Sequence, residues 1–178
     1  GFKPAVAVVV ATLRALKLHG GGGAVKVGAP LPAGLTGPNQ EALAQGFANL
    51  EQHISNVKAH GVPVVVAVNA FIDDSIAELE WVRERSREVG AEDAAVSTHW
   101  ADGGAGAEEL AKAVVRATEK TSAFNHLYDV VWPIKKKIKT IATQMYGASA
   151  VSFDAQAEQD IEMAQQLELD RLPICMAK

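Results

Sequence analysis

The chain reads as an α/β protein built on parallel strands, and three observations predict it. Residues 5–11 (AVAVVVA) and 62–68 (VPVVVAV) are continuous apolar runs rich in valine, the pattern of strands covered on both faces rather than on one. Segments with helical periodicity alternate with the strand-like runs, as in sheets wound by right-handed crossovers. Polar and aromatic residues cluster just beyond each strand, where open α/β sheets bind their ligands. Asn69, Phe71, Asp73 and Asp74 follow the second run, and His99, Trp100, Asp102 and the glycines 103, 104 and 106 follow a third.

Taken in order, residues 5–11 predict the first strand. His19 and four glycines follow, then a Pro/Gly-rich stretch to Pro38. Exposed N–H groups of such a run can cradle an anion. The run lacks both the Gly-Lys-Ser/Thr of a phosphate loop and the spacing of a dinucleotide fingerprint, and reads better as a flexible or tightly bent turn. A helix is predicted from residue 39 or 40 to about 60. Leu43, Phe47, Leu50, Ile54 and Val57 fall on one face of it, and Gly61 stops it. Residues 62–68 form the second strand, with Pro63 near its start, where proline is tolerated. A helix over about 74–89 comes next, capped by Asp74 or Ser75 and closed by Gly90. Residues 94–97 form a short third strand, and a helix spans 106 to about 120 with Leu110, Val114 and Ala117 on its apolar side.

Composition changes near residue 120. Residues 1–121 are predicted as part of one α/β domain and residues 122–178 as the start of a second. In the latter, a helix over 134–146 ends at Gly147. A strand (150–153), a helix (154–167) and a last strand (172–176) follow. Lys135, Lys136, Lys137 and Lys139 are read as a solvated helix face. Cys175, the single cysteine, lies in the apolar run LPICMA and is read as a buried, inert thiol.

Composition narrows the function. The 178 residues are 48% apolar with a net charge of −4, and the basic residues are dispersed, which argues against a nucleic-acid partner. No apolar run approaches the roughly 20 residues of a membrane-spanning helix. One cysteine excludes an internal disulfide and fits a reducing compartment. His19, His53, His60, His99 and His126 lack metal-ligand spacing, so no metal site is expected. The first residue is not Met and the last follows a strand-like run, so the chain reads as a piece of a longer polypeptide.

Six segments carry a resemblance. VVVATLRALKLHGG, NLEQHISNVKAHGVPVVVAVNAF, STHWADGGAGAEELA, FNHLYD, PIKKKIKTIATQMYGA and LPICMAK span nearly the whole chain in order. Together they resemble the formate–tetrahydrofolate ligases. That resemblance implies ATP-dependent ligation of formate to tetrahydrofolate through formyl phosphate, with MgATP and tetrahydrofolate as substrates. It also implies a P-loop-NTPase-like three-layer sheet, a homo-oligomeric parent enzyme, and a cytoplasmic location, mitochondrial in some eukaryotic forms. By motif, Phe71 and Trp100 match the aromatic pair that clasps the pterin of the folate, and Val96 an apolar position beside them. Asn69 and Ser97 match strand-end positions near the nucleotide, and Asp73, Asp74 and Asp102 would meet polar edges of the pterin. Two departures stand out: Ile72 replaces the proline usual after the phenylalanine, and the family's glycine-rich ATP loop has no counterpart in these residues. A folate- or nucleotide-binding module without turnover is the alternative.

Overall fold

The computed structural model describes residues 3–176. The chain divides into two compact units, Gly1–Phe124 and Asn125–Lys178. The first contains three strands, β1 (Ala7–Ala11), β2 (Val64–Asn69) and β3 (Asp93–Ser97). They pair in parallel in the order β1-β2-β3, with Ala11 opposite Val68 and Asn69 opposite Ser97. The three strands therefore end along one edge, as the alternation of elements predicts.

Valines 64, 65, 66 and 68 of the central strand are fully buried. That two-sided burial is the reason for its unbroken apolar run. The first run was expected to be covered in the same way, and here the structure differs. β1 lies at the sheet margin, so Val8 and Val10 stay exposed, Val10 at 65%.

Helices α1 (Leu13–His19), α2 (Ala33–Thr36), α3 (Gln40–Ala59), α4 (Ile76–Glu88), α5 (His99–Asp102) and α6 (Glu108–Thr118) complete this unit, with a 3-10 turn at Ala105–Ala107 before α6. Leu16 of α1, Phe47 and Ile54 of α3 and Val82 of α4 join Val64, Val66 and Val68 in one core. Val65 and Ala95 pack on the other side with Ala113 and Ala117 of α6. The sheet thus carries helices on both faces. Asn39 opens α3 as expected, its side chain accepting from the Ala42 N–H at 3.2 Å. The short α1 and α5 were not foreseen, because one or two turns show too little periodicity.

Two glycines decide how α1 meets α3. A Cβ on Gly20 would fall 1.7 Å from the carbonyl oxygen of Ala42, and one on Gly46 would fall 1.7 Å from that of Leu16. The backbones touch there, so the first glycine of the run after His19 serves packing.

A buried ion pair ties this layer together. Lys17 on α1 and Glu78 in the first turn of α4 lie 2.8 Å apart, with side chains 1% and 4% exposed. Lys17 Nζ also donates to the Gly37 carbonyl at 2.9 Å, and the second Glu78 oxygen accepts the Asn39 N–H at 2.6 Å. Each charge is hydrogen-bonded as well as paired, the condition under which burial is tolerated. Glu78 gains further from the helix N-terminus.

A second node stands where β3 begins. Asp93 accepts from Arg87 of α4 and Arg116 of α6, and from the Ala94 N–H. Partial burial pushes its carboxyl upward, but hydrogen bonds from Arg116, Arg87 and the Ala94 amide outweigh that and leave it below the ordinary carboxylate value.

The second unit contains α7 (Ile134–Tyr146) and α8 (Ala155–Gln166), close to the predicted bounds. Gly147 ends α7 in the left-handed conformation, and Asp154 caps α8 through the Ala157 N–H. The strands expected at 150–153 and 172–176 do not form: the described residues of this unit offer them no partner strand. Cys175 is accordingly exposed, since no core forms around its apolar run. The lysine cluster also departs from a solvated face. Lys137 is fully buried and donates to the carbonyls of Val130, Asp170 and Leu172 at 3.2, 2.5 and 2.7 Å. Lys136 lies over the Trp132 ring, 3.4 Å from its centroid, and Lys135 pairs with Glu158.

Two outcomes follow from these nodes. Lys17→Met, which strands the Glu78 carboxylate, should lower unfolding free energy by about 3–5 kcal/mol. Adding Glu78→Gln should cost far less than it does alone, read in a urea double-mutant cycle. For Asp93 the folded value lies below the unfolded one. Its stabilisation is therefore present above the ordinary carboxylate range, about pH 4, and is lost as the pH falls through the lowered value. Asp93→Asn should destabilise the chain at pH 7, and the gap from the parent protein should narrow below about pH 4, measured as melting temperature against pH.

Candidate functional site

Each strand delivers a short polar segment to the shared edge. After β1, Thr12 caps α1 by accepting from the Ala15 N–H at 3.2 Å, and Arg14 stands in the first turn. After β2, the Ala70 N–H donates to the Ser97 carbonyl at 3.0 Å, which carries the β2–β3 pairing past the last strand residue. The chain then turns tightly. Asp74 Oδ2 accepts the Phe71 N–H at 2.9 Å while the Asp74 N–H donates to the Phe71 carbonyl at 3.0 Å. Asp74 therefore braces its own loop. Ser75 takes the N-cap position of α4 without a side-chain hydrogen bond.

The Arg14 guanidinium lies over the Phe71 ring, 4.2 Å from its centroid. One of its nitrogens is 3.9 Å from the Asp73 carboxylate, a side chain 70% exposed. This turn also concentrates unmet polarity. Of four buried side-chain N or O atoms without a partner among the described residues, three lie here: Arg14 Nε, Asn69 Oδ1 and Asp74 Oδ1. Buried polar atoms are rarely left unpaired, so this cluster at the sheet edge singles out the turn as the candidate site for a ligand or ordered water.

After β3, the buried Ser97 hydroxyl lies 3.0 Å from His99 Nδ1. The Thr98 N–H donates to the Gly106 carbonyl at 3.0 Å. A Cβ on Gly106 would fall 2.5 Å from the Thr98 carbonyl carbon, so the Ala-Asp-Gly-Gly-Ala-Gly segment folds back against the strand end. Trp100 stands on the resulting helix α5, 74% exposed, with Asp102 exposed two residues on. Val96 is half-buried against the core.

The structure thus sets Asn69 opposite Ser97, gathers Phe71, Asp73 and Asp74 in one turn, and places Trp100 and Asp102 beyond the adjacent strand. Phe71 and Trp100 make no direct ring contact among the described residues. Sequence reasoning missed Arg14. Its signal was a cation in the stretch ATLRALKL, three residues before Lys17 and directly past a strand. Among the described residues no three His, Cys, Asp or Glu side chains gather as a metal site requires.

The family model for formate–tetrahydrofolate ligase matches residues 1–178. The chain belongs to the formate–tetrahydrofolate ligase family. The formate–tetrahydrofolate ligase of Desulforamulus reducens is 49% identical over all of this chain, which covers 31% of that protein. The cytoplasmic C-1-tetrahydrofolate synthases of Homo sapiens and Saccharomyces cerevisiae are 47% and 44% identical over the whole chain, which covers 19% of each. The chain therefore spans between about a fifth and a third of the length of these relatives. Among its described residues, no helix is long and apolar enough to cross a membrane.

The exposure of Trp100 separates binding from folding. Trp100→Ala should change the melting temperature by no more than about 2 °C, since exposed substitutions away from caps and networks shift stability by under roughly 0.5 kcal/mol. A large loss in differential scanning calorimetry would assign the indole to packing.

Proposed function

We propose that this chain forms the folate side of the active site of an ATP-dependent formate–tetrahydrofolate ligase. The observation that carries the reading is the shared carboxyl edge of β2 and β3. There Phe71 and Trp100 follow paired strand ends, beside buried polar atoms without partners. Family membership supplies the reaction class. In that chemistry a formate oxygen attacks the γ-phosphorus of MgATP and ADP leaves. N10 of the folate then attacks the formyl carbon, the carbon–oxygen bond to phosphate breaks, and N10 loses its proton. Phosphorylation gives formate a leaving group that it otherwise lacks.

The chain's own residues contribute positioning. Phe71 and Trp100 hold the pterin by its faces, with Val96 as apolar floor. The pyrimidine edge of a pterin presents N–H donors, and Asp74 Oδ1 is an acceptor in need of one, while the open Asn69 Oδ1 would serve the nucleotide. Asp73 and Asp102, both exposed, would meet its polar edges from the solvent side. Ser97, held by His99 and opposite Asn69, is placed for the nucleotide. The other partners are small molecules, in a homo-oligomeric and cytoplasmic enzyme, the location named for the human and yeast relatives.

Two measurements test this. In the full-length polypeptide, Trp100→Ala should raise KM for tetrahydrofolate about fivefold or more and leave KM for ATP within about twofold, because stacking adds roughly 1 kcal/mol beyond burial. An unchanged folate constant overturns the assignment. The 178-residue chain alone should form no 10-formyltetrahydrofolate from ATP and formate. It has no Gly-Lys-Ser/Thr loop to hold the β- and γ-phosphates. Product detected by chromatography would refute this.

A further inference from the structure

We propose that Arg14 is an oxyanion-binding residue of this site, and that Asp73 is an internal stand-in which the bound oxyanion displaces. The inference rests on the reading that this sheet edge binds substrate, and it concerns a residue outside the aromatic pair. Arg14 stands directly past the end of β1, and the β1–β2 register brings its turn to the edge that carries Phe71.

Three features set this guanidinium apart from one that merely packs. Its face is already occupied by the Phe71 ring at 4.2 Å, which fixes its plane and leaves its edge as the open donor surface. Nε on that edge is buried and donates to nothing, a state that costs free energy until an acceptor arrives. Its one carboxylate neighbour among the described residues is Asp73, 3.9 Å from Nη2 and largely in solvent. A pair so long and so exposed is weak and easily exchanged. A ligand with two oxygens on one centre, a carboxylate or a phosphoryl group, satisfies Nε and Nη2 together, the bidentate geometry in which arginine binds most strongly. The chemical class is therefore a small or terminal oxyanion. Formate, a phosphoryl group and the glutamyl carboxylates of a folate all present it.

The test compares inorganic phosphate, formate and p-aminobenzoylglutamate as probes, titrated calorimetrically into the full-length polypeptide. We expect saturable binding of at least one, and the responsive probe identifies the source. Arg14→Gln should weaken that binding at least about tenfold, and Arg14→Lys should recover part of it. Asp73→Asn should tighten it about threefold by removing the competing carboxylate. Opposite signs for Arg14→Gln and Asp73→Asn are the signature, since a structural role for the pair would weaken binding in both. Asp73 is exposed, so its variant should fold as the parent does. No saturable binding of any probe, or Asp73→Asn weakening it, overturns the proposal. Binding of 6-methyltetrahydropterin, which carries no oxyanion, is measured in parallel. If it is lost in Trp100→Ala and unmoved in Arg14→Gln while the anions fail to bind, the folate reading stands and the Arg14 inference falls. The reverse pattern sinks the folate reading alone.

Discussion

The Lys17–Glu78 pair is the contact on which the candidate site depends. α1 and α4 each begin just past a strand, one carrying Arg14 and the other following the Phe71–Asp74 turn. Their relative placement decides how those two segments face each other. α1 packs chiefly on α3, and α4 on α3 and β3, so the ion pair is the direct tie between the two. An ammonium and a carboxylate at 2.8 Å, both buried, impose a single register. The same groups hold the Gly37 carbonyl and the Asn39 N–H, which seats the start of α3. Burying two charges is a poor source of net stability but a strong penalty against misalignment, since any shift strands both. The close Gly20–Gly46 crossing serves the same end by letting α1 sit against α3 backbone to backbone.

The sheet supplies the other half of the geometry. Asn69 opposite Ser97 sets the level at which the second and third strands stop, and the Ala70–Ser97 hydrogen bond extends that level by one residue. Beyond it the two loops are braced by different means. The Phe71–Asp74 turn is closed by reciprocal hydrogen bonds between Phe71 and Asp74. The Trp100 segment is closed by Gly106, which comes close enough to Thr98 to exclude any side chain. Both aromatic residues are thus carried on segments ordered before any ligand arrives, which limits the ordering cost of binding.

Much of this was legible in the sequence, and the failures share a cause. Continuous valine runs separated by helical periods carried the parallel sheet, and polar residues past each run marked the segments that the structure sets along one strand edge. The signals are local, and so are the elements they report. Lys17 and Glu78 lie 61 positions apart, and only the fold brings them together. The four lysines from 135 to 139 point in several directions around a helix, which predicts a solvated face. Lys135, Lys136 and Lys139 are exposed, yet Lys137 turns inward to three carbonyls. The missing strands at 150–153 and 172–176 show the reverse error. Strand-like composition expresses a preference for half-buried pleated surface, and without a neighbouring strand that preference yields extended backbone only. Cys175, assigned to a core on the apolarity of its neighbours, is exposed for the same reason.

The distribution of unmet polarity is the remaining argument that the site is built for a ligand. The Lys17–Glu78 node and the Asp93 node are both satisfied: each charge there has one or more hydrogen-bonded partners. Away from the turn, one further buried side-chain atom among the described residues, Arg83 Nε, lacks a partner. The Phe71–Asp74 turn differs. Asp74 uses one oxygen to close the loop and leaves the other free, Asn69 leaves its side-chain oxygen free, and Arg14 leaves Nε free. Acceptors and a donor left open together, beside an aromatic ring and near an exposed indole, form a surface that solvent satisfies poorly. A flat heterocycle bearing N–H donors together with an oxyanion satisfies it well. Folding stability gains nothing from such an arrangement, which is why the proposed binding role is assigned to this turn.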